Sequence, residues 1–198
     1  MPLAPPTPLA PPGGGFPTLE TMYGWCLVRL TAALPLRAIL SKFERASASL
    51  ISLCPAGEDE ATRQVLIPRV TGIEDSSRFW SGAMVLEHLT IVGRRVTPLL
   101  VEIAQGRDLP WVLRTQDVKP RGGLARAQAV SDFKAMARDY LAWARSTPIS
   151  SRTRHEHPFF GKLNCRQWVA FMTLHHMVHL PQMKAIVKVL QSAAPISS

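Results

Sequence analysis

Histidines are the side chains in this 198-residue sequence whose types and spacing best support chemistry. His175 and His179 are four residues apart, so on a helix their rings share one face and can bind one ion. His88 lies in a separate apolar stretch and can face the same interior. Buried neutral imidazoles without partners are costly, whereas coordination satisfies them. The three histidines are therefore a candidate site for one divalent metal.

Chance leaves a second interpretation of these histidines open. With six histidines in the chain, roughly 0.2 pairs at four-residue spacing are expected by chance, so the pair by itself is weak evidence. A single histidine among apolar residues, such as His88, is more often a hydrogen-bonded core residue. Three unrelated core histidines are the alternative to a metal site, and spacing alone does not decide between the two.

The other three histidines are predicted to have lesser roles. His176 lies about 100° around the helix from His175, which favours a position on the flank or at an interface. His157 precedes a proline in a loop and is predicted to hold a turn there. His155 lies in a basic loop and is predicted to be exposed.

No side chain stands out as a general base, so no catalytic residue is assigned. Asp132 and Asp139 lie on a helix from which they can reach inward, but solvent-facing positions are favoured for both. Glu87 is expected to point away from the candidate site, and Arg95 to extend along the surface.

Amphipathic helices must position these side chains, because apolar residues recur at three- and four-residue intervals and alternating β-branched residues are almost absent. Pro35 separates the first two helical stretches or kinks a single helix. Residues 146–163 are predicted to be irregular. The pattern predicts an all-α fold, a four-helix bundle with a short extra N-terminal helix. The helical stretches are about 19–30, 36–51, 81–105, 124–145 and 165–190.

Composition divides the chain into one domain and two tails. Residues 1–17 hold seven prolines and a run of three glycines, so they are predicted to be disordered. Residues 18–192 form the predicted bundle domain, and residues 193–198 form a C-terminal tail. The three cysteines are far apart and show no CxxC spacing, which excludes a disulfide framework and a thiolate zinc site. This cysteine usage favours a reducing, cytoplasmic location.

The chain is basic, with 23 Lys and Arg against 14 Asp and Glu, a net charge of +9. The excess is spread over residues 94–166, and aromatic residues do not alternate with it as in RNA-binding motifs. A solvated basic surface is therefore favoured over a nucleic-acid site, and basic residues near the mouth of a site would favour anionic thiols or carboxylates. No uninterrupted apolar run of 18 residues exists, which excludes a membrane span.

Three sequence motifs resemble those of the DinB-like (YfiT-like) superfamily. The stretch WSGAMVLEHL, which begins at Trp80, resembles the family's helix start. The stretch HPFFGKLNCRQW, which begins at His157, is similar to the family's lead into its last helix. The stretch HHMVHLPQ, which begins at His175, resembles the H-x-x-x-H-x-x-Q ending. The motifs occur in the family's order and cover about residues 80–182.

This resemblance implies a four-helix bundle that binds one divalent metal through three histidines. The ligands that it implies are His88, His175 and His179, which favours a metal site over three unrelated core histidines. Imidazole donors suit Zn, Ni or Fe. Gln182, one turn beyond His179, is a candidate hydrogen-bond partner for that ring.

The resemblance also implies a metal-dependent enzyme that activates a thiol or water against a small-molecule substrate, as a thiol S-transferase or a hydrolase. A low-molecular-weight thiol is an expected co-substrate, and a homodimer is an expected assembly. The alternative is a non-enzymatic metal-binding stress-response bundle whose site is structural or vestigial.

The last helix carries two features that affect the geometry of the candidate ligands. Asn164 and Gln167 predict a capping box at its start, with Asn in place of the usual Ser or Thr. Pro181 removes a backbone donor inside the helix and predicts a kink over 177–181.

Overall fold

The computed structural model describes residues 9–12 and 16–193. About two thirds of the chain (65%) is helical, which confirms the all-α prediction. The helices are α1 (Thr18–Ala33), α2 (Leu36–Leu53), α3 (Glu58–Thr62), α4 (Gly82–Ala104), α5 (Arg126–Ser146) and α6 (Cys165–Ser192). The four long helices α2, α4, α5 and α6 form the predicted four-helix bundle, and the extra N-terminal helix α1 packs on α6.

The bundle core has two apolar halves that together hold the long helices. One half contains Phe43, Tyr140 and Trp168, all fully buried. The other half contains Phe133 and other large side chains from α4 and α6. Burial of side chains of this size contributes roughly 1.5–3 kcal/mol each, so these contacts fix the helix positions.

Pro35 separates α1 from α2 rather than kinking one long helix. The guanidinium of Arg166 on α6 holds this junction, because its Nε donates to the carbonyl of Ala32 at 2.6 Å and its second nitrogen donates to Leu34. The C-terminal end of α1 is thereby attached to the start of α6.

Two short antiparallel hairpins interrupt the helical architecture. β1 (Val65–Leu66) pairs with β2 (Phe79–Trp80), and β3 (Arg154–His157) pairs with β4 (Gly161–Asn164). The prediction of an irregular segment over 146–163 is therefore wrong for β3 and β4. The alternation of buried and exposed residues is present in β3, but its two inward-facing side chains are histidines, so a search for apolar residues misses it.

Part of the proline-rich segment contacts the segments that connect the bundle helices. The backbone N–H of Ala10 donates to Asp75 Oδ2 at 2.8 Å, and the Phe16 ring packs edge to face on Phe159 with 5.0 Å between ring centroids. The rest of the predicted N-terminal tail, residues 1–8 and 13–15, lies outside the described residues, as do 194–198 of the predicted C-terminal tail. Along the ranges that the structure covers, no helix combines the length and apolarity needed to cross a membrane.

The start of α6 has the capping box that the sequence predicts. Asn164 Oδ1 accepts from the Gln167 N–H at 2.9 Å, and Gln167 Oε1 accepts from the Asn164 N–H at 3.0 Å. The helix then continues through Pro181, and the kink predicted there stays a prediction. The cap fixes where α6 begins and therefore where its histidines point.

We expect Asn164→Ala to lower the free energy of unfolding by about 1 kcal/mol, because it leaves an N-terminal N–H of α6 without an acceptor. Asn164→Ser keeps an acceptor oxygen and should lose much less. Urea denaturation monitored by circular dichroism measures both variants. Equal losses in the two variants would show that the cap does not stabilise the helix.

Candidate metal centre

The structure brings together the three histidines that the sequence singles out. The Nε2 atom of His175 lies 3.2 Å from Nε2 of His88 and 3.1 Å from Nε2 of His179. One nitrogen from each ring lies within 4.8 Å of the other two. His88 comes from α4, whereas the other two come from successive turns of α6, so contact between these helices assembles the cluster.

Local interactions at the start of α4 set the position of His88. The Ser81 hydroxyl accepts from the Met84 N–H at 3.2 Å and caps the helix. The indole of Trp80, just before the cap, packs on the His88 ring with 5.1 Å between centroids. On the other side, Phe171 stacks on His175 at 5.2 Å with the planes 15° apart. The Trp80 ring also lies parallel to that of His179 at 6.4 Å, so all three imidazoles have an aromatic neighbour.

The protonation of two rings is fixed by acceptors behind them. His88 Nδ1 lies 2.7 Å from the carbonyl of Val118, which can only accept, so Nδ1 carries the proton. His179 Nδ1 lies 2.5 Å from Gln182 Oε1. The Gln182 amide is itself oriented, because its Nε2 donates to the Ser77 carbonyl at 2.8 Å. Both imidazoles, when neutral, therefore present a lone pair on Nε2 to the centre of the cluster.

Burial keeps the cluster uncharged. It lowers the pKa of His179 to about 4, although the Gln182 hydrogen bond opposes this shift. Burial is also the main cause that holds the pKa values of His88 and His175 well below the usual range, and protonation of the neighbouring His179 ring would lower them further. Neutral imidazoles with converging lone pairs are a donor set for a cation.

The cluster is not satisfied by hydrogen bonds among its own members. His175 Nε2 faces two lone pairs but has at most one proton to donate, so one of the two short contacts lacks a hydrogen. Its Nδ1 is buried and has no partner among the described residues. A divalent cation accepts all three lone pairs, so the donor set fits a bound metal better than it fits an empty cluster.

Two polar side chains that sequence reasoning did not select hold the loops behind the histidines. Lys119 Nζ donates to the hydroxyls of Ser76 and Ser77, each at 2.7 Å, and to Glu74 Oε2 at 3.3 Å. These residues lie in separate polar loops, and neither periodicity nor spacing relates them. Only the folded structure places Lys119 and Glu74 beside the cluster.

Glu87 points away from the three rings, as predicted. Its two carboxylate oxygens accept from the backbone N–H groups of Arg121 and Gly122, each at 3.0 Å. This contact ties the loop after Val118 to α4. Glu87 therefore helps to hold the carbonyl that orients His88.

Two of the other histidines differ from their predictions. His176 is fully buried, not on a flank, because its ring lies between Phe43 and Phe133 in the bundle core and Nδ1 donates to the Met172 carbonyl at 2.9 Å. His155 is buried, not exposed, because it faces inward from β3 and pairs with Asp108 at 2.6 Å.

His157 has the structural role that the sequence predicts. Its Nδ1 accepts from the Phe159 N–H at 3.1 Å, which closes the turn between β3 and β4. Its ring stacks on Phe160 at 4.7 Å.

Three charged residues considered from the sequence lie away from the cluster, as predicted. Arg95 is exposed. Asp132 pairs with Arg94 at 2.7 Å. Asp139 is exposed and pairs with Arg138 at 2.9 Å. None of the three contributes to the candidate site.

A cavity of about 390 Å³ reaches all three histidines. We call it the chamber, and its walls come from α1, from the turn after β3, from α6 and from the loops that carry Glu74 and Lys119. Representative wall residues are Tyr23, Leu27, Phe159, Phe160, Leu174 and Val178. The volume is within the range of about 300–1,000 Å³ that is usual for small-molecule sites.

Buried histidines make the stability of the fold depend on pH. Burial lowers the pKa of His157 to about 3, below its ordinary 6.5. The His157 side chain then binds a proton more tightly in the unfolded chain than in the folded one. The free energy of unfolding is therefore highest above about pH 6.5 and falls as the pH drops toward the folded pKa. We expect His157→Asn, whose amide oxygen can still accept from Phe159, to reduce this slope by up to about 1.4 kcal/mol per pH unit. Urea denaturation across this range measures the slopes, and identical slopes would contradict the assignment.

Comparison with known proteins places the chain in a family. No curated protein sequence matches it. Among solved structures, it is similar to the crystal structure of TT2238, a four-helix bundle protein, at 18% identity and a TM-score of 0.46, with 80% of this chain and 100% of that chain covered. The family model of the DinB superfamily matches residues 36–183, a span that includes all three clustered histidines. The chain therefore belongs to the DinB superfamily.

Proposed function

We propose that this protein is a metal-dependent enzyme that holds one divalent transition metal through Nε2 of His88, His175 and His179. The observation that carries the proposal is that the three nitrogens converge at the wall of the chamber. A structural metal site is closed by four protein ligands, whereas a catalytic site has three and leaves a position open. Zn, Ni and Fe all suit three imidazole donors. A metal bound there would supply Lewis-acid chemistry, which lowers the pKa of a thiol or water.

The chain's own cysteines are not placed to supply a nucleophile. Cys26 is exposed, whereas Cys54 and Cys165 are buried. Burial raises the pKa of Cys54 and raises that of Cys165 to about 11, which disfavours the reactive thiolate. None of the three lines the chamber. We therefore propose that the nucleophile is water or a low-molecular-weight thiol, as in a hydrolase or a thiol S-transferase.

Glu74 is the side chain that we propose as proton acceptor. Glu20 and Glu74 are the two carboxylates that line the chamber in the described part of the chain. Both oxygens of Glu20 are bound, to Arg69 and to the Gly72 N–H. Glu74 binds Lys119 through Oε2 only, and its buried Oε1 has no partner. We propose that this oxygen takes the proton that a thiol or water releases in the chamber.

A homodimer and a cytoplasmic location also belong to the proposal. Large apolar side chains of α1 face outward, with Leu19 79% and Leu30 68% exposed, which supports burial against a second copy. The three free cysteines support a reducing compartment.

We expect purified protein to contain about one divalent first-row metal per chain, because three lone pairs converge on one point. His88→Ala and His179→Ala should each lose it. Gln182→Ala should keep all three ligands but bind the metal roughly 10–100-fold more weakly, because the His179 ring loses its anchor. Elemental analysis and competition with a chelator measure these changes.

His157→Asn is the matched control for metal content, since it changes a buried histidine outside the cluster. Its metal content should equal that of the wild type. Equal and negligible metal in all variants after reloading would contradict the site.

We expect metal-loaded protein to accelerate the reaction of a small thiol with an aryl halide, or the hydrolysis of an aryl ester. His175→Ala should lose both metal and turnover. Glu74→Gln should keep the metal and lose roughly 100-fold or more in kcat, because the proton acceptor is gone. Steady-state kinetics over a panel of thiols and esters tests this expectation, with elemental analysis of each variant. Full metal content without turnover of either kind would favour the non-enzymatic metal-binding bundle.

A further inference from the structure

The walls of the chamber that face the three histidines are apolar on three sides. α1 supplies Leu27 and Val28, and the turn after β3 supplies Phe159 and Phe160. α6 supplies aliphatic and aromatic side chains along the face that continues from His175. A ligand that extends away from the histidines therefore contacts aromatic rings and aliphatic chains.

The chamber offers no uncompensated charge. Four charged residues line it in the described ranges, and each has an opposite charge beside it within the protein. The pairs are Glu20 with Arg69 at 3.1 Å, Glu74 with Lys119 at 3.3 Å, and Arg114 with Asp117 at 3.1 Å. A charged ligand body would lose its hydration here without gaining a free counter-charge.

The basic surplus of residues 94–166 does not alter this balance. Of those residues, only Arg114 and Lys119 contribute a basic side chain to the chamber wall, and both are already paired. The expectation that this stretch favours anionic thiols or carboxylates at the mouth is therefore not supported by the arrangement of charges.

Close backbone approach builds the apolar wall. A Cβ placed on Gly24 of α1 would lie 2.9 Å from the Phe160 ring, and one on Gly72 would lie 2.5 Å from Val178 Cγ2. Two glycines therefore let a helix and a loop reach the aromatic and aliphatic side chains that bound the chamber. α1 lies outside the span of the DinB match, which begins at residue 36, whereas the aromatic and aliphatic side chains that it faces lie inside that span.

From these observations we infer that the chamber takes a small molecule with a neutral, apolar body, of aryl or branched-alkyl type, and a single metal-binding head group that meets the three histidines. The inference about the head group depends on the proposed function, whereas the inference about the apolar body depends only on the residues of the chamber walls. The inference thus assigns substrate specificity to α1 and the β3–β4 turn.

The test of the body uses a neutral fluorescent probe, N-phenyl-1-naphthylamine, titrated into the full-length protein. Leu27→Arg places a charge in the wall and should raise the probe's Kd about tenfold or more. Val112→Arg is the matched control, because it also replaces an apolar side chain by arginine, at a position that is 45% exposed and outside the chamber. Its Kd should equal that of the wild type.

A second variant and a charged probe complete the test. Val178→Trp fills the chamber without adding charge and should also abolish binding, which covers the case in which Leu27→Arg does not fold, as judged by its melting temperature. The anionic analogue 1-anilinonaphthalene-8-sulfonate should bind the wild type more weakly than the neutral probe. Unchanged Kd in both wall variants, or tighter binding of the anion, would overturn the inference.

A separate arm distinguishes failure of the inference from failure of the proposed function. Neutral probe binding should persist in His175→Ala, since the walls do not depend on the metal. On cobalt-loaded protein, benzohydroxamate should shift the visible spectrum at a Kd about tenfold or more below that of acetohydroxamate. Absence of cobalt binding with probe binding intact counts against the proposed function alone, whereas equal affinity for the two hydroxamates counts against the apolar body.

Discussion

Two protons determine the character of this site, one on Nδ1 of His88 and one on Nδ1 of His179. Each proton is donated in a hydrogen bond to an oxygen that can only accept. Nε2 of each neutral ring therefore keeps its lone pair. Without these two hydrogen bonds, either ring could turn a proton toward the centre, and the cluster would be a hydrogen-bonded chain of histidines. Hydrogen bonds of the surrounding loops hold the two acceptor oxygens in place.

Those acceptors belong to loops rather than to the helices that carry the histidines. The Val118 carbonyl orients His88, and the Ser77 carbonyl orients Gln182 behind His179. Lys119 follows the first of these carbonyls and binds the hydroxyl of Ser77, so one ammonium group joins both loops. Burial lowers the pKa of Lys119, whereas the charge and hydrogen bond of Glu74 raise it and so favour the protonated ammonium group. The helices thus bring the three histidines together, and the loops determine which ring nitrogen of His88 and His179 carries a proton.

Features of this structure that depend on contacts between residues close in sequence could be predicted from the sequence, whereas features that depend on contacts between distant residues could not. Helical periodicity and the spacing of His175 and His179 report contacts within one or two turns, so the bundle and the pair on α6 could be predicted. The capping box at Asn164 is similarly local. Lys119 and Glu74 come together across 45 positions through polar contacts that follow no repeat, and they were found only in the structure. The burial of His155 was missed because its strand is too short and too polar to resemble one.

The separate attachment of α1 has a consequence for how members of such a fold can diverge. This helix follows its own path before Pro35 and is fastened to the bundle through Arg166, yet it holds none of the clustered histidines and none of the groups that orient them. Mutations along its inner face can therefore accumulate without disturbing the donor set. Under the proposed function, ligand choice and reactivity are then two nearly independent traits, because different parts of the chain encode them.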